Sequence, residues 1–377
     1  MPFELQDRAV LTGMGPEVRT WGAAVNPAFM QSLVQSVHRE QEALAAARQS
    51  GAMPRADYLA ISGGGANGAF GAGLICGWTE SGTRPVFKVV TGISTGALTA
   101  PFVFAGPEYD HVLREVYTKT TTEQILVPRG MLAAMSSDAM ADTKPMWKTL
   151  SKYADQKLLD AIAAEHGKGR ILMIGTTNLD ARRAVLWNVG EIATSGNPKA
   201  LEIVRRIMIA SAAIPGAFPP VFFDVEADGE KYQEMHVDGG AMTQVFLYPP
   251  SLKLREAAAA AGVTRERRAY VIRNARLDPD WAEVDRRLMP IAVRAIDSLL
   301  HTQGIGDLYR IYTNAQRDGI DFNLAYIPAN FKVVSKEPFD TVYMTKLFDV
   351  GFDLAKKGYP WEKTPPGYEI APGTTSP

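Results

Sequence analysis

Gly92-Ile93-Ser94-Thr95-Gly96 follows the apolar run Phe87–Val90 and precedes a helical pattern. A Gly-x-Ser-x-Gly match alone is common. In this context it reads as a sharp strand-to-helix turn that holds the serine in a strained backbone state, with Gly92 and Gly96 where any Cβ would meet the neighbouring chain. The hydroxyl would stand over the carboxyl ends of the strands, with the dipole of the following helix aimed at its oxygen. The plainer alternative is a tight glycine turn with an ordinary serine. Ser62-Gly63-Gly64-Gly65-Ala66-Asn67-Gly68 likewise follows a strand pattern and opens a helix, and its three successive glycines leave backbone amides uncovered, as in an anion-binding nest. If the anion is transient, the turn is an oxyanion hole for a tetrahedral intermediate at Ser94. If it is a bound pyrophosphate, Gly63-x-Gly65-x-x-Gly68 is a dinucleotide fingerprint. A dinucleotide site needs an acidic residue about 20 residues on, at the end of the second strand. Here that strand ends Val90-Thr91-Gly92 and runs into the serine turn, so no nucleotide partner is expected. A Walker loop is absent as well, since no Gly-Lys-Ser/Thr follows a glycine turn at the required spacing.

A nucleophilic serine needs a base. The chain has five histidines, His38, His111, His166, His236 and His301. The order serine, acid, histidine of the common α/β-hydrolases leaves His301, after an acid such as Asp238, as the closing histidine. His301 falls inside the helical pattern Ala292–Tyr309, which places it on a helix face rather than a loop. The other candidate is Asp238 in His236-Val237-Asp238-Gly239-Gly240, where Gly239 and Gly240 would let the backbone approach closely and leave the carboxylate on an uncrowded turn. An aspartate is a weak base unless desolvation raises its pKa. Considered singly, the motif is an Asp-Gly hairpin turn; beside the serine turn and the glycine nest it becomes a candidate base. Few histidines and no acidic cluster near the motifs suggest neither a metal nor a cofactor. The single cysteine, Cys76, rules out an intramolecular disulfide framework and a cysteine-based zinc site, and its place in the helix after the glycine turn suits a small residue packed on the sheet.

The elements that must position these groups follow from composition and periodicity. Lys and Arg number 40 against 41 Asp and Glu, a net charge of −1 over 377 residues, which gives no broad field to recruit nucleic acid or an anionic surface. With 46% apolar and 21% charged residues the chain is globular with a sizeable core. Its length suits about two domains or one large α/β domain with additions. From Tyr58 onward short apolar runs alternate with helical stretches, as in a sheet covered on both faces. Strands are expected at Tyr58–Ser62, Phe87–Ile93, Arg170–Leu179, Ala184–Val189, Pro219–Val225, Ala269–Asn274 and Phe322–Pro328. Helices are expected at Pro27–Arg48, Asn67–Trp78, Thr95–Gly106, Pro198–Ala212, Trp281–Gln316 and Thr341–Lys356. In the first of these Phe29, Leu33, Val37 and Leu44 fall near helical spacing. The turn before Ala184 is too short for a crossover helix, so the sheet should be partly antiparallel. The fold class is α/β, a three-layer α/β/α arrangement with a mostly parallel, partly mixed central sheet. The expected organisation is an N-terminal extension with one helix over 1–55, joined by a linker at 50–57. A core over 56–250, a helical and strand part over 251–360 packed on it, and a Pro- and Gly-rich surface tail over 361–377 complete it. No apolar run reaches the roughly 18 to 20 residues that cross a bilayer; the best, Ala97–Ala105, is interrupted by Pro101. The first residues lack the features of a signal peptide. The expected location is therefore the cytoplasm, or the periplasm or a lipoprotein if a leader has been removed.

Gly63-Gly64-Gly65-Ala66-Asn67-Gly68, Gly92-Ile93-Ser94-Thr95-Gly96 and Asp238-Gly239-Gly240 together resemble the patatin-like phospholipase family in order, spacing and context. Ala210–Pro220 is similar to the stretch that precedes the catalytic Asp in that family, and the resemblance spans Tyr58–Tyr248. It implies a lipid acyl hydrolase of three-layer α/β/α fold with Ser94 as nucleophile, Asp238 as its base and the Gly63–Gly65 amides as oxyanion hole. Its partners would be a lipid or other acyl-ester substrate and, transiently, a membrane surface. Asn67 stands where the family commonly carries Arg, which removes a positive charge from the glycine turn. Phe102, Phe104, Phe218, Phe222 and Phe223 lie near the motifs and could line an acyl channel, although plain core is the simpler reading. A thioesterase or polyester depolymerase with the same machinery, or a non-catalytic lipid-binding module of the same fold, shares every one of these features.

Overall fold

The computed structural model describes residues 1–48, 52–128 and 139–368. The end of the expected tail, 369–377, and residues 50–51 of the expected linker lie outside them. Twelve strands occur among the described residues: β1 (Val10–Leu11), β2 (Arg19–Trp21), β3 (Ala56–Ile61), β4 (Phe87–Ile93), β5 (Val127–Pro128), β6 (Ala141–Asp142), β7 (Ile171–Asn178), β8 (Arg183–Asn188), β9 (Val221–Ala227), β10 (Glu230–Asp238), β11 (Arg267–Arg273) and β12 (Asp321–Tyr326). β5 and β6 form a small separate ribbon, and the other ten make one sheet in the order β1-β9-β10-β7-β4-β3-β11-β12, with β8 on β7 and β2 on β8. The strands β7, β4, β3, β11 and β12 run parallel, and the remaining pairings are antiparallel. The mixed, mostly parallel α/β/α architecture is the one expected.

Strand side chains alternate between the two faces. Leu59 and Ile61 of β3 and Ile272 of β11 join the large core beneath helices Gly68–Glu80, Thr95–Ala105, Ala200–Ser211 and Thr341–Lys356. Tyr58 and Ala60 of β3 and Val271 of β11 pack on the other face against helix Leu288–Asp318, and Phe29 of helix Pro27–Ala46 covers that same side nearer β7. All six residues of β3 are buried, which is why the run carries no polar alternation. Close approach of helices Gly68–Glu80 and Thr341–Lys356 depends on glycine: a Cβ on Gly73 would stand 2.0 Å from the Phe348 carbonyl oxygen.

Several elements depart from the sequence reading, among them strand β10 and helices Asp110–Lys119, Lys144–Tyr153 and Gln156–Gly167, which it did not contain. The start of the chain, read as irregular, supplies β1 and β2, which pair with β9 and β8. The helix expected from Trp281 begins at Leu288. The buried face of helix Pro27–Ala46 carries Phe29, Ser32 and Ser36, while Leu33 is only half-buried and Val37 and Leu44 are partly exposed. Small residues are needed where that helix meets the neighbouring chain; Ser36 donates to the Gly169 carbonyl at 3.0 Å.

The N-terminal segment also fixes the middle of β10. Arg19 of β2 donates to both carboxylate oxygens of Glu234 at 2.6 and 3.0 Å, and both side chains are almost fully buried. Breaking a buried pair by removing one partner typically costs about 3–5 kcal/mol. Arg19→Ala should therefore lower stability by about that amount in chemical unfolding.

Candidate active site

The register of one strand brings the site together. β8 occupies one edge of β7 from Met173 to Asn178. On the other edge β4 pairs with Ile171 to Gly175, and β10, running the opposite way, pairs with Thr176 to Asn178. The carboxyl ends of β4 and β10 therefore meet head to head at Gly175 and Thr176. Ser94 follows the last residue of β4, and Asp238 is the last residue of β10.

At that junction Ser94 Oγ donates a hydrogen bond to Asp238 Oδ2 at 2.6 Å. Ser94 has φ 54° and ψ −122°, a backbone state that L-residues rarely adopt. Its flanking glycines are sterically required: a Cβ on Gly92 would stand 2.3 Å from the Gly96 carbonyl oxygen, and one on Gly96 would stand 2.2 Å from that of Ile61. Ser211, in the Ala210–Pro220 segment, supports the turn by accepting the Ser94 N–H at 2.9 Å while donating to the Gly175 carbonyl at 2.6 Å. Helix Thr95–Ala105 starts directly after Ser94 and points its positive end at this junction.

Asp238 is 5% exposed. The uncrowded turn expected from the sequence is instead a strand end, because β10, whose polar outer half hid it in the sequence, runs through to this residue before turning at Gly239. The Gly240 N–H donates to Oδ1 at 2.7 Å, and the Asp238 N–H donates to the Ala213 carbonyl at 2.9 Å. Gly239 permits the approach, since its Cβ would stand 2.5 Å from the Gly175 carbonyl oxygen. Burial raises the Asp238 pKa to about 6, against the opposing effect of the bonds from Ser94 and Gly240.

The glycine turn lies beside the serine: a Cβ on Gly63 would come within 3.2 Å of Ser94 Cβ. The Gly63 N–H donates to the Gln244 carbonyl at 3.0 Å. The N–H groups of Gly64 and Gly65 have no protein acceptor among the described residues, and both glycines have positive φ, 152° and 56°. Asn274, one residue past β11, clamps this turn. Its N–H donates to Ser62 Oγ at 2.8 Å, its Nδ2 donates to the Ser62 carbonyl at 2.9 Å, and its Oδ1 accepts the Gly71 N–H at 3.0 Å. Asn274 and Ser211 were not singled out from the sequence, because nothing local marks a polar residue at a strand end or helix end as a brace. Gly68, the motif's last glycine, meets the Thr95 side chain. Asn67 accepts from the Tyr343 hydroxyl at 2.6 Å, which ties the position occupied by Arg in the family to helix Thr341–Lys356.

No histidine bonds Ser94 or Asp238 among the described residues. His236 is fully buried with its ring nitrogens against Thr176 Oγ1 at 2.8 Å and Glu234 Oε2 at 3.1 Å. His301 lies on helix Leu288–Asp318, as its pattern suggested, and its carbonyl accepts from Arg273. Phe102, Phe104, Phe218 and Phe223 are buried in the main core, while Phe222 is partly exposed on β9. Burial pushes the Cys76 thiol up to about 12, so it stays protonated within its helix.

A sequence model of the patatin-like phospholipases matches residues 59–248, half of the chain. The chain belongs to the patatin-like phospholipase family, whose class is lipid ester hydrolase. Among solved structures it is similar to VipD from Legionella pneumophila, at 13% identity and a TM-score of 0.33, covering 81% of this chain and 67% of that one. It is also similar to the type III effector ExoU, at 12% identity and a TM-score of 0.30, covering 81% of this chain and 54% of that one. A structure of full-length ExoU with SpcU, from the type III secretion system of Pseudomonas aeruginosa, is matched at 13% identity and a TM-score of 0.23. The chain spans about half the length of ExoU. No curated protein matches it in sequence.

The raised Asp238 pKa has a consequence for stability. A carboxyl whose folded pKa lies above its unfolded value of 3.8 favours folding at low pH, and that contribution is lost as pH rises through about 6. Asp238→Asn keeps the shape and removes the buried charge. At pH 8 the variant should be more stable than the wild type, by up to about 3 kcal/mol. The advantage should shrink as both proteins are melted at progressively lower pH, down to about 4.

Proposed function

We propose that the chain is a serine acyl hydrolase of lipid carboxylic esters working through a Ser94–Asp238 dyad. The observation that carries this reading is the 2.6 Å bond from the strained Ser94 hydroxyl to a buried carboxylate with a pKa near 6. An ordinary aspartate is too acidic to take a serine proton efficiently; one raised to about 6 is still mostly ionised at neutral pH yet a stronger base.

Ser94 Oγ attacks the ester carbonyl carbon as its proton passes to Asp238. The carbonyl oxygen becomes an oxyanion that accepts hydrogen bonds from the Gly64 and Gly65 amides, the donors of the turn without another acceptor. Losing one such donor typically costs about 10²- to 10³-fold in rate. Collapse breaks the bond to the alcohol, which leaves with the proton held by Asp238, and the acyl group remains on Ser94. Water then attacks the acyl-enzyme, giving its proton to Asp238. Asp238 returns that proton to Ser94 Oγ as the fatty acid departs. The first glycine, Gly63, acts through position, since its own N–H holds the Gln244 carbonyl.

Ser94→Ala should reduce hydrolysis of a short-chain nitrophenyl ester by about 10⁴-fold or more with unfolding unchanged. Equal activity in both proteins would overturn the assignment. Because the base must be ionised, kcat/KM of the wild type should fall as pH drops through about 6. Loss of activity in His301→Ala with retention in Asp238→Ala would replace the dyad with a triad. A panel of phospholipid, lysophospholipid, thioester and polyester substrates separates lipase from thioesterase and depolymerase, with release of fatty acid from lipid expected.

A further inference from the structure

Helix Leu288–Asp318 divides into two unlike halves. From Gly304 onward it lies on the sheet, with Leu308, Ile311, Tyr312 and Ala315 buried against β3, β11 and β12. At Gly304 it crosses Arg273, the last residue of β11, whose guanidinium occupies the space a Cβ would take. β11 is parallel to β3, and β3 to β4, so this crossing lies at the carboxyl edge of the sheet, the edge that carries the glycine turn and Ser94. The residues before His301 extend beyond that edge by roughly 20 Å.

In this projecting half Leu288, Met289, Ile291, Val293, Ile296 and Leu299 are each more than half exposed. At roughly 100° per residue they cover rather more than half of the helix circumference, centred near Leu299 and Ile296, with Arg294, Asp297, Ser298 and His301 in the remaining arc. That apolar side is turned by roughly a third of a turn from the stripe that Leu308 and Ile311 present to the sheet. It is therefore not an overrun of the core stripe but a second apolar face with nothing folded over it among the described residues. Ile214 and Met242, both partly exposed, flank Asp238 at the same edge. Arg286 and Arg287, exposed just before the helix, make no ion pair among the described residues.

We propose that the exposed apolar side of the Leu288–Leu299 half-helix docks the protein on a lipid bilayer beside the edge that carries Ser94, Ile214 and Met242. This rests on the lipid-hydrolase reading, because a bilayer lipid must reach Ser94 across this edge. A second copy seated on the same face would close that edge to substrate. Apolar residues lie at the acyl boundary while Arg286 and Arg287 reach the headgroups, the disposition of an interfacial helix. Near-neutral net charge suits such docking, which depends on apolar contact rather than on a long-range field.

The test uses the full chain carrying Ser94→Ala, so that no hydrolysis alters the membrane, and sedimentation with mixed phosphatidylcholine and phosphatidylglycerol vesicles. The parent should bind, and adding I296Q and L299Q should weaken binding about tenfold or more with unchanged thermal unfolding. Ser298→Gln, on the polar side, should leave binding intact. Absence of binding by the parent, or equal binding by the double variant, would overturn the proposal. So would gel filtration in which the parent is a dimer that the double variant dissolves while vesicle binding stays the same, since a second copy would then be the occupant. Binding is read here without the serine hydroxyl, so its failure removes the docking surface alone; failure of ester hydrolysis by the wild type removes the function alone.

Discussion

Two strands cannot share one stretch of a third strand's edge, and the arrangement at β7 follows from that limit. β4 ends at Ile93 beside Gly175, and β10, arriving from the opposite direction, ends at Asp238 beside Thr176. Each chain must turn out of the sheet where it meets the other. The Ser94 and Asp238 side chains are thereby brought together in a nearly buried place, and the bond between them is the result. Gly92, Gly96 and Gly239 surround the junction because backbones pass within contact distance of one another there, and Gly175 leaves room for the Ile93 side chain.

β10 carries two buried acids with opposite fates. Glu234 is held down at about 2: burial alone would raise it, but hydrogen bonds from His236 and Arg19 and the charge of Arg19 overcome that. Asp238, four residues on, is bonded only by the neutral Ser94 hydroxyl and Gly240 amide and so remains raised at about 6. The difference is the presence or absence of a compensating cation, not the depth of burial. One acid fastens the N-terminal segment to the sheet; the other is left with a raised pKa beside the Ser94 hydroxyl. The strained Ser94 backbone and the uncompensated carboxylate both work against stability, and the doubly covered sheet around them supplies the packing that holds them in place.

The outer helices brace the same edge. Asn274 leaves β11 to hold the glycine turn, and helix Leu288–Asp318 begins its descent along the sheet beside it. The helix that covers one face of the core thus also carries an exposed apolar half past the mouth of the site. A single β-α-β crossover connects the brace of the glycine turn with that exposed apolar surface.

The sequence by itself determined the local geometry. Glycine spacing around Ser94 marked a turn no other residue could make, the triple glycine marked uncovered amides, and unbroken apolar runs such as β3 marked buried parallel strands. These are short-range steric and solvation effects, so a few neighbouring residues suffice to specify them. β10 was harder to see because its first half faces solvent and its alternation is weak, and β1 and β2 are too short to show any period. Only the tertiary structure decided that Asp238 rather than a histidine meets Ser94, that Ser211 and Asn274 brace the two turns, and that Gly63 gives its amide to Gln244. Each of those depends on strand register and on partners more than thirty residues apart, and on how much water the packed sheet excludes, which no local pattern encodes.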